Sequence, residues 1–490
     1  MKQEVPLSPE SKKRWWTLPV VSLAQLMVVL DATIVNIALP SAQETLGMTD
    51  TDRHWVITAY ALAFGGLLLL GGRVCGAIGH RRAFAIGLVG FALASALGGA
   101  AGNTGTLFAA RAGQGVFAAL LAPAALSLLI LTFTDGRERA KAFGVFAGVG
   151  AGGAALGVVA GGLLTEYATW RWCLYINIPM TAIALIGVPL VLRDRPGGNL
   201  RGLDVPGVLL SAAGLVFLVY GFTRAEPHGW GDPTVLAPLI GGVLLLALFV
   251  LVEARTRHPL LPLRILFHRV RGTAFVSVFL MFAAMFGFYL FVSYYTQTIL
   301  GYSPVKAGMT LLVNAVSTTV GALLIAGRLH RRTAPDVLIA GSLLSSAAGM
   351  LILTQLEVGS SHVFAVYLTP SMILTGIGLG CLLATATNTA TVRLDPAEAG
   401  VASAAYNTVQ QVGAAFGTAL LNSIATSVTT SYLEDHGNGT DSVSAGTVQG
   451  YTVALWAAFG ILVGGALLVG LLSRGGSRTS RPEAVVETTR

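Results

Sequence analysis

The chain has 490 residues, 54% hydrophobic and 11% charged, with 60 glycines and a formal charge of +8. Soluble domains carry about 25% charge, so this composition excludes a soluble enzyme and describes a membrane protein. Its basic residues are scattered over short connections rather than gathered in a patch, which argues against a nucleic-acid partner, and Cys75, Cys173 and Cys381 lie too far apart in sequence to suggest a disulfide or metal framework.

The polar, basic tail at 1–16 precedes an apolar run of about 24 residues, beyond the roughly 7 to 15 of a signal-peptide core, so it reads as a retained first span. Hydropathy then places fourteen helices in an all-α fold, at about 17–40, 54–72, 83–103, 106–133, 141–165, 172–192, 204–224, 234–253, 270–299, 304–328, 336–356, 363–392, 399–427 and 449–473. An even number leaves both termini on one side. The segments on that side hold 26 of the 31 Lys and Arg, whereas the opposite loops hold only Arg53, Arg171, Arg224 and Lys306. This asymmetry puts both termini in the cytoplasm. The preference for arginine over lysine beside abundant Ala and Gly suggests a bacterial chain, hence a bacterial cytoplasmic membrane.

An internal echo divides the sequence. GGRVCGAIGHRR at 71–82 follows the second span and GRLHRR at 327–332 follows the tenth, each a Gly-Arg leading into a basic cluster. If these points are equivalent, the chain comprises the tail, a six-helix bundle at 17–192, a linker with two extra helices at 193–269, a second six-helix bundle at 270–473 and a cytoplasmic tail at 474–490. Repeated halves are a transporter signature, with a substrate site between them near the membrane midplane. Two basic turns could also match by chance.

Away from helix ends, the spans contain two formally charged residues, Asp31 and Arg111. Each costs roughly 2.5 to 3.5 kcal/mol on insertion scales and is a functional candidate for that reason. Their depths, counted at about 1.5 Å per residue from the same membrane face, differ by less than an arginine's reach, so spans 1 and 4 can pair them directly or through water. Burial disfavours a charged carboxylate while a guanidinium favours it, and the balance suits a proton carrier. The other reading of Asp31 is a carboxylate that merely bonds neighbouring helices. Arg111 keeps its proton, so its part is electrostatic or structural.

LDATIVNIALP at 30–40, RAGQG at 111–115, GVGAGGAALGVVAGGLL at 148–164 and WRWCLYINIP at 170–179 together resemble the fourteen-span drug:proton antiporters of the major facilitator superfamily. The resemblance covers nearly the whole chain. It implies an exporter of hydrophobic or amphipathic small molecules, antibiotics among them, working by alternating access with the proton gradient as its energy source and no cofactor. It further implies proton coupling at Asp31 and Arg111, with Gln114 and Gly115 completing the fourth-span motif. The fifth-span glycines, Gly157, Gly161 and Gly162 among them, correspond to a close-packed segment that prevents leak; the family's Pro is Val158 here, so no kink is expected. In the loop after the second span, Gly72, Arg73, Gly79, Arg81 and Arg82 keep the family's glycines and basic cluster, but its acidic residue has become Gly76.

Candidates for lining the substrate path are Asn36, Gln114, Asn314, Asn388, Asn407, Gln410 and Gln411, with Phe279, Phe282, Phe286 and Tyr289 in one helical stripe of span 9. The stripe equally suits a lipid-facing or interhelical surface, and the amides could instead join helices. No Gly-Lys dipeptide exists for a nucleotide-binding loop and HExxH is absent, so no enzyme, nucleotide-driven pump or metal site is expected. The expected partners are a small-molecule substrate, protons and the lipid bilayer, with a monomeric chain. A dedicated exporter of one metabolite, or a receptor or scaffold that does not transport, remain open.

Overall fold

The computed structural model describes residues 14–474 apart from 49, 192–203, 257–258, 260, 262, 267–268, 330–332, 358, 361, 392–398 and 438. Both tails beyond it, and the second half of the GRLHRR echo, lie outside the described residues. Fourteen long helices follow in the expected order: α1 (Thr17–Leu46), α2 (Asp50–Ile78), α3 (His80–Gly99), α4 (Thr104–Thr132), α5 (Gly136–Tyr167), α6 (Asn177–Val191), α7 (Val205–His228), α8 (Pro233–Glu253), α9 (Arg269–Tyr294), α10 (Pro304–Val320), α11 (Pro335–Leu353), α12 (Thr369–Thr391), α13 (Ala399–His436) and α14 (Thr440–Arg474). Among the described residues there is no strand.

Among the described residues, twelve helices are long and apolar enough to cross a membrane. Within α5 and α7 the described apolar stretches are Lys141–Gly150, Leu156–Tyr167 and Pro206–Phe222. Several helices outrun their expected spans. α1 continues through Pro40 to Leu46, and α13 and α14 nearly meet, at His436 and Thr440. Hydropathy reads only the part of a helix matched to hydrocarbon, whereas the backbone hydrogen-bond ladder continues through polar residues beyond it.

Local signals set the ends. Asn103, Asp204, Asp232 and Ser303 accept hydrogen bonds from backbone amides of the first turns of α4, α7, α8 and α10, satisfying donors that a helix start leaves free. Gly79, with φ of +93°, makes the reversal between α2 and α3, a conformation that side chains disfavour.

The packing repeats with an offset of eight helices. α1 lies on α5 as α9 lies on α13; α2 lies on α4 as α10 on α12; α3 lies on α4 as α11 on α12. The two sets meet where α5 packs on α10 and where α2 and α4 pack on α13, while α7 and α8 pack on each other with α7 against α2 and α13. Helices alternate in direction, so odd-numbered helices begin, and even-numbered ones end, at one face, here called basal.

Candidate functional site

Asp31 sits midway along α1 with none of its surface exposed, and Arg111 of α4 is 2% exposed. Arg111 Nη1 donates to Asp31 Oδ2 at 2.6 Å and to Gln114 Oε1 at 2.7 Å, and Nε donates to the Val56 carbonyl at 3.2 Å. Its guanidinium carbon lies 4.5 Å from the centre of the Tyr60 ring. Gln114 Nε2 and Asn177 Nδ2 each donate to Asp31 Oδ1 at 2.8 Å and also to Ser95 Oγ. Five helices therefore close around one carboxylate. The guanidinium supplies the opposite charge that makes a buried anion tolerable, and three donors satisfy its oxygens. The Asn177 Oδ1 and Tyr60 hydroxyl in this centre are buried without a hydrogen-bond partner.

The sequence reading paired Asp31 with Arg111 and missed Ser95, Tyr60 and Asn177. Gln114, expected along the substrate path, instead bridges the pair. The signal for Asn177 was a lone amide within the apolar run LYINIP. Its position depends on a corner: Arg171 Nη1 donates to the Gly99 and Ala101 carbonyls at 2.8 and 2.6 Å, which docks the chain before α6 against the α3–α4 turn.

The α5 glycines form two stripes with different partners. A Cβ at Gly144 would lie 2.8 Å from a Leu323 methyl beyond α10, and one at Gly148 would collide with Thr319 Oγ1; Gly152 faces Ala315 at 3.8 Å. On another face, a Cβ at Gly153 would lie 3.0 Å from Leu26, one at Gly157 would strike Thr33 of α1, and one at Gly161 would lie 3.1 Å from the Ile34 carbonyl. Small residues four apart let both neighbours approach the α5 backbone. Ser127 Oγ of α4 meets Ser403 Oγ of α13 at 3.2 Å. Together with the Gly144 contact, this join lies toward the basal ends of its helices.

The remaining candidates do not converge on one point. Tyr289 donates to Asn314 Oδ1 at 2.8 Å, and Asn314 Nδ2 donates to Thr375 Oγ1 at 2.9 Å, an uncharged centre among α9, α10 and α12. Phe279 stacks on Phe416 of α13 with centroids 5.7 Å apart, Phe282 lies beside Phe286, and Phe286 is 44% exposed. Asn407 turns back to the Ser403 carbonyl of its own helix at 2.9 Å, and Gln410 and Gln411 are half-buried. Asn388 is half-buried with a partner of its own, and Asn36 lies on α1. Gly72 and Gly79 are buried, Arg73 and Arg81 half-buried and Arg82 exposed around the α2–α3 turn, while Gly162 is half-buried on α5. All three cysteines are buried and free. No group of three or more His, Cys, Asp or Glu side chains suited to a metal occurs among the described residues.

The Major Facilitator Superfamily matches residues 21–418. The chain belongs to that superfamily. Among relatives of this superfamily member, the puromycin resistance protein pur8 of Streptomyces alboniger is 55% identical over 97% of this chain and 93% of its own. The cephamycin export protein CmcT of Amycolatopsis lactamdurans is 38% identical over 81% of this chain and 82% of its own. The human organic anion transporter MFSD10 superposes with a TM-score of 0.61 at 14% identity, covering 93% of this chain and 99% of its own, and so shares the superfamily fold. The superfamily and fold are those of multi-pass membrane transporters of small molecules.

Proposed function

We propose that this chain is a proton-driven exporter of hydrophobic or amphipathic small molecules, antibiotics foremost, in a bacterial plasma membrane. Fourteen spans form two six-helix bundles with α7 and α8 inserted between them, and both termini are cytoplasmic. The basal face is then the cytoplasmic one, since its loops carry the basic residues, and the join at Ser127, Ser403 and Gly144 closes the path there. The observation that carries the reading is the buried Asp31–Arg111 pair in a chain whose relatives are named for antibiotic resistance and export.

In this mechanism the carboxylate is the titrating group. As an anion it ties α1 to α4 through Arg111 and to α6 through Asn177. Protonation removes the ion pair and leaves Arg111 with Gln114, Val56 and the Tyr60 face. α1 is then freer to shift, and it grips α5 through Gly153, Gly157 and Gly161, whose other stripe meets α10. Proton uptake from outside thus biases the seam between bundles, and release inside resets it. No step requires a cofactor or an enzymatic reaction, and one chain contains all the parts.

Proteoliposomes with an imposed pH gradient test this directly. Asp31→Asn should remain folded and lose gradient-driven export; undiminished export by that variant refutes the assignment. A narrower reading, export of a single compound, is favoured by relatives whose names each specify one antibiotic, and growth inhibition across a compound panel separates the two.

A further inference from the structure

Asp31 Oδ1 is met by two side-chain amides, and they are not held alike. Gln114 Nε2 donates to it at 2.8 Å while Gln114 Oε1 accepts from Arg111 Nη1 at 2.7 Å, so the guanidinium fixes which end of that amide faces the carboxylate. Asn177 Nδ2 also donates to it at 2.8 Å, and to Ser95 Oγ at 3.2 Å, but nothing among the described residues donates to Asn177 Oδ1, although the residue has no exposed surface. No bond therefore opposes a half-turn of the Asn177 amide except those made by its nitrogen, and the terminal torsion of asparagine is broad and roughly two-fold.

The half-turn matters once the carboxylate takes up a proton. Asp31 then becomes a donor, and a buried donor needs an acceptor. Gln114 Oε1 is occupied by Arg111 and Ser95 Oγ by the two amides, and the Tyr60 hydroxyl makes no hydrogen bond to Asp31. Rotation of Asn177 brings Oδ1 to the place now held by Nδ2, 2.8 Å from Asp31 Oδ1 and 3.2 Å from Ser95 Oγ. There it accepts from the acid and from the Ser95 hydroxyl, whose hydrogen serves no other group among the described residues. The nitrogen takes the place of the unpartnered oxygen, so one unpartnered end replaces another and the bond to the acid is gained. We infer that Asn177 is a positioning residue whose amide rotates with the proton: its nitrogen holds the Asp31 anion and its oxygen holds the acid. This rests on Asp31 being the titrating group. Among the described residues, the charged and titratable groups facing Asp31 are Arg111 of α4, Tyr60 of α2 and the Cys173 thiol ahead of α6; the other charges of α1 to α6 lie near helix ends. The tie between α1 and α6 thus survives in both forms, and the proton acts on the tie between α1 and α4.

Infrared difference spectra of the full chain in lipid, recorded between acid and neutral pH with asparagine carrying carbon-13 at its side-chain carbonyl, read both groups at once. Protonation should produce a carboxylic-acid band that is lost in Asp31→Asn. With it, one asparagine carbonyl should move to lower frequency as its oxygen gains two hydrogen bonds. That movement should show the isotope displacement and be absent in Asn177→Leu and in Asp31→Asn. Ser95→Ala removes one of the two donors to the rotated oxygen and should reduce the movement while keeping the acid band, a second reading that stands if Asn177→Leu does not fold. An asparagine that only joined helices would leave its carbonyl band in place. An acid band belonging to Asp31 with no asparagine carbonyl moving beside it overturns the inference and leaves the coupling role of Asp31 standing, as does a movement that persists in folded Asn177→Leu. Absence of any acid band lost in Asp31→Asn overturns both.

Discussion

Replacing Arg111 by leucine leaves Asp31 with two amide donors, Gln114 and Asn177, both on Oδ1, and none on Oδ2. The variant strands a carboxylate with no exposed surface. Breaking a buried pair by removing one partner costs about 3 to 5 kcal/mol, and the lower end applies in a bilayer because partly unfolded helices find other partners there. In Arg111→Leu/Asp31→Asn the charge is gone, an amide oxygen still accepts from Gln114 and Asn177, and the residual loss is that of lost hydrogen bonds, about 1 to 2 kcal/mol. The double variant should thus be more stable than Arg111→Leu alone, with a coupling of about 2 kcal/mol or more. Unfolding by SDS titration in mixed micelles at neutral pH measures each corner of the cycle. The deficit of the single variant should shrink on acidification, since a proton removes the stranded charge. Additive single losses, agreeing within about 0.5 kcal/mol, would refute the idea that the two side chains stabilise the bundle as a pair.

Gly148→Val should place methyl groups where Thr319 sits and reduce export at least tenfold without loss of fold, with Thr319→Ala restoring part of it; Gly460→Ala, whose Cβ meets nothing within 4 Å, is the control and should be neutral in both export and thermal unfolding. Asn177→Leu removes a donor shared by Asp31 and Ser95 and should displace the pH profile of export, which a merely structural residue would leave in place while lowering the yield of folded protein. Arg14 and Glu138 pair at 2.6 Å but are 34% and 22% exposed, so Arg14→Ala should change stability by less than about 1 kcal/mol, measured by the same SDS titration.

The charged centre was legible because a carboxylate and a guanidinium in apolar helices are rare enough to be conspicuous, and matching depth was enough to bring them together. Its neutral members were not. Ser95, Tyr60 and Asn177 are ordinary residues for a span, and only the fold shows that α2, α3 and α6 deliver them to one point. The α5 glycines gave the opposite problem. Their abundance announced close packing, but the assignment of Gly148 to the opposite bundle and Gly157 to α1 depends on which helices flank α5, information that a one-dimensional pattern lacks. Gln114, read both as part of the fourth-span motif with Arg111 and as a path candidate, lies three residues after Arg111 on the same helical face, which brings it to the pair. The packing repeat with its offset of eight became visible only in three dimensions.

The placement of charge constrains how a proton can act here. Asp31 is enclosed by helices of one bundle, so it does not touch the seam that must open and close. Whatever it transmits passes through packing, and the route with the fewest adjustable side chains is α1 to α5 to α10, where glycines put backbone against side chain on both faces of α5. Interfaces built this way have little soft material to absorb a shift, so a displacement of α1 is passed on rather than dissipated. The Tyr289–Asn314 centre of the other bundle is uncharged, so in the proposed mechanism the coupling proton acts on the N-terminal side. It follows that substitutions at Gly153 or Gly157 should uncouple export from the gradient while leaving the Asp31 network intact, and that loss of both functions together would mean the carboxylate is held by α5 as well as by α4 and α6.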